Sequence, residues 1–150
     1  MRKSGFCFIL TMFIFFVVGC ATFQNWGTTT PPIVRVNVVN FMAHTNIGIT
    51  TEIYFSVMNV SPETVNDLTL EVVLNPSHGV EVPFRFATIG RLAPNESWRP
   101  KGPFLVRGRE SGTTSVFFIV KRGSEVLAKD YTLVEIPPDD STSLPILNVD

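Results

Sequence analysis

A chain of 150 residues, 45% of them hydrophobic and 17% charged, has the apolar content of one ordinary domain and too much of it for a disordered chain. A formal net charge of −1 excludes general binding to nucleic acid. Thirteen phenylalanines and a mean hydropathy of +0.25 would suit a membrane protein if spread evenly, but Phe6, Phe8, Phe13, Phe15 and Phe16 crowd into one run near the start.

That run is the first predicted element. Arg2 and Lys3 precede the apolar stretch from Phe6 to Val18, which ends at Gly19-Cys20, the layout of an export signal. A membrane-spanning helix needs roughly 20 apolar residues, and this run of about 13 is followed by neutral residues rather than a basic stop-transfer cluster. Removal after export is therefore expected. Val17-Val18-Gly19-Cys20 resembles the lipobox of bacterial lipoproteins. The resemblance implies a signal peptide over 1–19, cleavage before Cys20, diacylglycerol on its sulfur and acylation of the new amino terminus. The alternative is ordinary cleavage after Gly19-Cys20-Ala21, which would release a soluble protein.

Two or three acyl chains, at about 0.8 kcal/mol per buried methylene, hold a protein on a membrane where one chain holds it only marginally. Cys7 leaves with the signal and Cys20 is spent on lipid, so no disulfide is expected and the core must hold the domain together. Loss of Arg2 and Lys3 leaves ten basic residues against thirteen acidic, a balance of −3 with no general attraction to anionic lipid. Membrane attachment then rests on Cys20. Ala21 in place of Asp implies, by the same resemblance, the outer membrane of a Gram-negative envelope.

Residues 20–32 are short of aliphatics and rich in Thr, Gly and Pro, as a tether would be. Period-two alternation begins after them. Val34, Val36 and Val38, then Ile53, Phe55 and Val57, then Leu68, Leu70, Val72 and Leu74 each predict one inward face of a half-buried strand. Val80, Val82, Phe84 and Phe86 continue the pattern, followed by a weaker segment from Trp98 to Arg107, by Val116 to Val120 and by Val126 to Ile136. Turn residues separate these segments, among them Val60-Ser61-Pro62-Glu63, Ala93-Pro94-Asn95-Glu96 and Arg122-Gly123-Ser124.

About seven short strands with no helical stripe predict an all-β immunoglobulin-like sandwich of antiparallel sheets over 33–136, with a polar tail over 137–150. Phe55, Val57, Leu70, Val72, Phe84 and Phe118 are its predicted core. Val116-Phe117-Phe118-Ile119-Val120 is apolar on both faces, which predicts a central strand whose outer face is covered by a loop or a partner. Pro100 and Pro103 predict an edge or irregular strand from Trp98 to Arg107.

Ile53 to Asn59, a polar turn, Leu68-Thr69-Leu70 and then Leu92-Ala93-Pro94-Asn95-Glu96-Ser97 resemble the strand, Asn, turn, strand and Leu-x-Pro-Gly-Glu layout of bacterial extracellular immunoglobulin-like modules such as the CARDB group. Asn95 departs from it where Gly is usual, and Val60 where a small residue commonly follows Asn. The resemblance implies the fold and says little of activity.

Residues that could carry chemistry are few. His44 and His78 lack a second ligand at metal spacing and read as solvated turn histidines, Gly108 to Gly112 is a loop rather than a nucleophile elbow, and no cofactor or enzymatic activity is expected. From Arg85 to Arg109 six basic residues face only Glu96. Two readings stay open. Trp98, Arg99, Lys101 and Arg107 form a surface for a partner or ligand, or the basic residues pair with Glu71, Glu81, Glu110 and Glu125 while Trp98 plugs the core. The expected function is a lipid-anchored, non-enzymatic envelope protein whose sandwich binds another envelope component, a protein. The alternatives are a carbohydrate-binding or enzyme-accessory module, needing an aromatic platform around Trp98, Phe104 or Tyr131, and a structural spacer.

Overall fold

A computed structural model of the protein describes residues 32–138. The export signal, Cys20 and the tail beyond 138 lie outside the described residues, as does all of the tether but its last residue.

The described chain is all-β, with eleven strands: β1 Val34–Val38, β2 Met42–His44, β3 Thr50–Ile53, β4 Phe55–Asn59, β5 Val65–Asn75, β6 Val80–Glu81, β7 Phe86–Leu92, β8 Ser97–Trp98, β9 Phe104–Gly108, β10 Gly112–Arg122 and β11 Glu125–Ile136. One sheet has the order β2-β11-β10-β5-β7, antiparallel except for the parallel β2–β11 pair. Facing it are two three-stranded sheets, β1-β4-β8 and β3-β9-β6. They interlock because β3 and β4 are separated only by Tyr54 while β8 and β9 are separated by residues 99–103.

Alternation decides which side chains meet. Val34, Val36, Phe55 and Val57 on one side, Leu68, Leu70, Val72, Val116, Phe118, Val120 and Val134 on the other, and Ile53, Phe104 and Val106 from the third sheet form one buried cluster. Phe55 stacks on Phe118 at 4.2 Å, and Phe104 meets both rings edge-on at 5.9 and 5.4 Å, so one aromatic knot joins all three sheets. Of the predicted core, Phe55, Val57, Leu70, Val72 and Phe118 are buried; Phe84 packs edge-on against Phe104 at 5.1 Å but is only partly buried. The β10–β11 hairpin closes in two residues, with Gly123 at φ 59° supplying the positive φ that such a turn needs.

Four expectations are corrected. The strand predicted from Val80 through Phe86 breaks after Glu81, because Pro83 brings no amide donor to a ladder, and Phe86 restarts as β7 with its ring 71% exposed. The segment from Trp98 to Arg107 is two elements: β8 is an edge, but β9 is central between β3 and β6, because both prolines fall outside the paired residues. His44 stands on β2 rather than in a turn. Phe104, one of the residues around which an aromatic platform could stand, is 1% exposed and cannot carry one.

Candidate functional site

The predicted surface of Trp98, Arg99, Lys101 and Arg107 is divided by the fold. Trp98 pairs with Val57 at the edge of its sheet and lies against Phe55 at 6.2 Å, half-buried on the core. Arg107 opposes Thr50 in β9 and donates Nε to the Gly48 carbonyl at 3.0 Å. Arg99 and Lys101 remain together on the exposed connection of 99–103, where Gly102 donates its amide to the Pro100 carbonyl at 2.8 Å and closes a three-residue turn around Lys101. The wider basic segment is broken up as well: Arg109, just past β9, pairs with Glu81 of β6, whereas Glu71 is taken by Lys121, Glu125 by Arg122, and Glu110 lies 3.5 Å from His78.

This connection walls a groove of about 490 Å³. Asn37 and Val39 line one side, Tyr54, Phe55 and Ser56 the floor, and Arg99, Pro100, Gly102 and Pro103 the other side. The Tyr54 hydroxyl donates to the Glu52 carboxylate, and that bond and charge together hold the phenol above its ordinary pKa.

A second surface went unrecognised in the sequence as a site. The outward residues of the five-stranded sheet include Met42 beside Leu133, Phe117 beside Tyr131 and Val73, and Phe86 beside Glu71. Phe41, 62% exposed, packs edge-on to Tyr131 at 5.8 Å, and Tyr131 lies 5.7 Å from Phe117. The buried Thr132 hydroxyl, donating to the Asn40 carbonyl at 2.6 Å, ties the Phe41 segment to β11. An apolar band thus crosses the outer face of this sheet, where an antiparallel sandwich ordinarily presents polar residues to water. The two-sided apolar character of Val116 to Val120 was its one sequence signal. Among the described residues no loop covers Met42, Val73, Phe86 or Tyr131, all of them exposed.

The Asn59 turn is structural. Asn59 is 0% exposed; its Nδ2 donates to the Glu63 and Leu92 carbonyls at 2.7 and 3.0 Å, and its Oδ1 accepts from the Ser61 amide and hydroxyl at 2.9 and 2.8 Å. Asn95, with φ 62°, occupies the position of Pro94-Asn95 that demands a positive φ, and the Glu96 carboxylate accepts from the Ala93 amide at 2.7 Å. An Asn replaces the usual Gly because it tolerates that conformation. The layout shared with the extracellular modules is therefore a brace between β4, β7 and β8. No aromatic platform forms around Trp98 or Phe104, which belong to the core side of one layer; around Tyr131, on the outer face of the other, Phe41 and Phe117 gather.

Among solved structures, the chain is similar to the CARDB domain of a Pyrococcus furiosus protein determined in solution, with a TM-score of 0.53 and 14% identity, covering 71% of this chain and 94% of that one. A crystal structure of that domain in complex with di-metal ions gives a TM-score of 0.52 at 14% identity, covering 71% and 92%. The fold is thus that of a CARDB-like, immunoglobulin-like sandwich. Among the described residues no three His, Cys, Asp or Glu side chains gather to hold a metal ion. No protein-family model and no curated protein matches the chain.

Proposed function

We propose that the protein is a lipid-tethered, non-enzymatic binding module of a bacterial envelope, anchored through Cys20, whose sandwich docks another envelope protein. The observation that carries this reading is the apolar band of Phe41, Met42, Tyr131, Phe117, Val73 and Phe86 on the outer face of the five-stranded sheet. Aromatic residues and Met are the side chains enriched at protein interfaces. Charges of both signs flank the band, Lys129 and the Lys121–Glu71 pair on one side and Glu135 on the other. That mixture suits a protein surface and offers no net attraction to anionic headgroups.

A photoreactive phenylalanine in place of Tyr131 in intact cells should capture one protein partner. Phe41→Ser with Met42→Ser should abolish the capture, and Leu105→Ser, an exposed apolar residue on a different sheet, should not. Adducts to lipid alone, or capture indifferent to the Phe41 and Met42 changes, would refute the docking surface. For the anchor, Cys20→Ser should remove both the lipid mass and the partition into detergent; a native amino terminus at Thr22 without lipid would refute it.

A further inference from the structure

The groove beside Arg99 lies where one rung is missing from a ladder. Tyr54 and Val39 are bonded through the Val39 amide and the Tyr54 carbonyl, which turns the amide and carbonyl of Phe55 away from β1. On that other edge the ladder is intact above and below. Asn59 donates to Glu96 and Val57 opposes Trp98 at one end; Gly108 donates to Ile49 and Ile53 opposes Phe104 at the other. Between these rungs three residues, Tyr54 to Ser56, face the five from Arg99 to Pro103. The longer side loops out, and neither Pro100 nor Pro103 has an amide to offer. Among the described residues the Phe55 amide and carbonyl make no bond to that loop. Phe55 instead lines the groove, whose volume of about 490 Å³ falls within the range of ligand sites, about 300–1,000 Å³.

We propose that this groove receives a short extended segment of another polypeptide, which completes the missing rung at Phe55 and places a carboxylate side chain against Arg99 and Lys101. Two observations select that occupant. An amide and a carbonyl directed to the same side are complementary to one residue of an extended peptide, the pairing used when a strand is added to a sheet. Arg99 on the groove wall and Lys101 in the exposed turn beside it have no carboxylate partner within ion-pair distance among the described residues, so the added segment is acidic. The preformed turn of Pro100 to Gly102 holds the rim in place and lowers the ordering cost of binding. The groove and the apolar band lie on different sheets, and each stands or falls alone.

Amide hydrogen exchange on the full chain in detergent tests the open rung. Although its side chain is buried, Phe55 should exchange about 100-fold or more faster than Ile53 and Val57. The peptide acetyl-Thr-Val-Glu-Val-Thr-amide should then protect the Phe55 amide, and its Glu→Gln counterpart should bind about fivefold more weakly, the worth of an exposed ion pair. Arg99→Gln with Lys101→Gln should erase the difference between the peptides while leaving exchange at Ile53 and Val57 unchanged. Slow exchange of Phe55 in the free chain would mean that the rung is already closed, whether by the loop or by the chain's own acidic tail, and would overturn the proposal. So would a lack of protection by either peptide at millimolar concentration, or equal protection by both.

Discussion

Phe118 and Tyr54 show at the scale of single residues how strand phase becomes energy. Phe118 is fully buried between Phe55 and Phe104, while Tyr54, next in chain to Phe55, is 49% exposed on the opposite face. Phe118→Ala should cost about 3–5 kcal/mol through lost burial and a residual cavity, and Tyr54→Ala under about 1 kcal/mol. Denaturant unfolding of the two variants checks this, and equal losses would reverse the facing assignment. Asn59→Ala strands the Leu92 and Glu63 carbonyls and the Ser61 amide together, so a loss of about 2–4 kcal/mol is expected in the same assay. The Tyr54 phenol gives a readout in pH. Its hydrogen bond to Glu52 favours the protonated form, and the carboxylate charge opposes the phenolate, so Glu52→Gln should let the phenolate appear at lower pH in an absorbance titration. An unchanged midpoint would show that the two side chains do not meet in solution.

The element scale is where local patterning and pairing part company. Val34 to Val38, Leu68 to Leu74 and Val116 to Val120 were legible because a strand buried on one face repeats every two residues whatever its neighbours are. β2 and β7 were not. β2 has three residues and only Ala43 inward, and in β7 Thr88, Gly90 and Arg91 dilute the alternation. The centrality of β9 was likewise hidden, since prolines that lie in its approach read as an edge. Gly108 at the end of β9 carries this placement: its carbonyl accepts from Gly48, its amide donates to Ile49, and a Cβ there would come within 2.6 Å of the Asn46 carbonyl oxygen. Gly108→Ala should therefore cost about 1–3 kcal/mol, because the clash is with backbone that cannot swing aside. Thermal unfolding of that variant within a degree of the parent would show that the Asn46 loop yields freely.

At the scale of the whole molecule the fold presents an exposed apolar band on the five-stranded sheet and an open groove beside Phe55 on the opposite layer. Phe41→Ser with Met42→Ser removes two exposed apolar side chains, so it should leave stability within about 1 kcal/mol while abolishing capture through the probe at position 131. A loss of several kcal/mol would make the band structural. From sequence alone came the inward faces of the long strands, the all-β class and the turns at 60–63 and 93–96, because each is written in spacing over a few neighbouring residues, while the expectation of an anchor at Cys20 rests on resemblance to a lipobox. Tertiary structure alone decided that the second apolar face of β10 carries no cover from the described loops, that Arg99 parts from Arg107, and that the ladder opens at Phe55. Those depend on which strands pair and in what register, and pairing joins residues tens of positions apart that no local period connects.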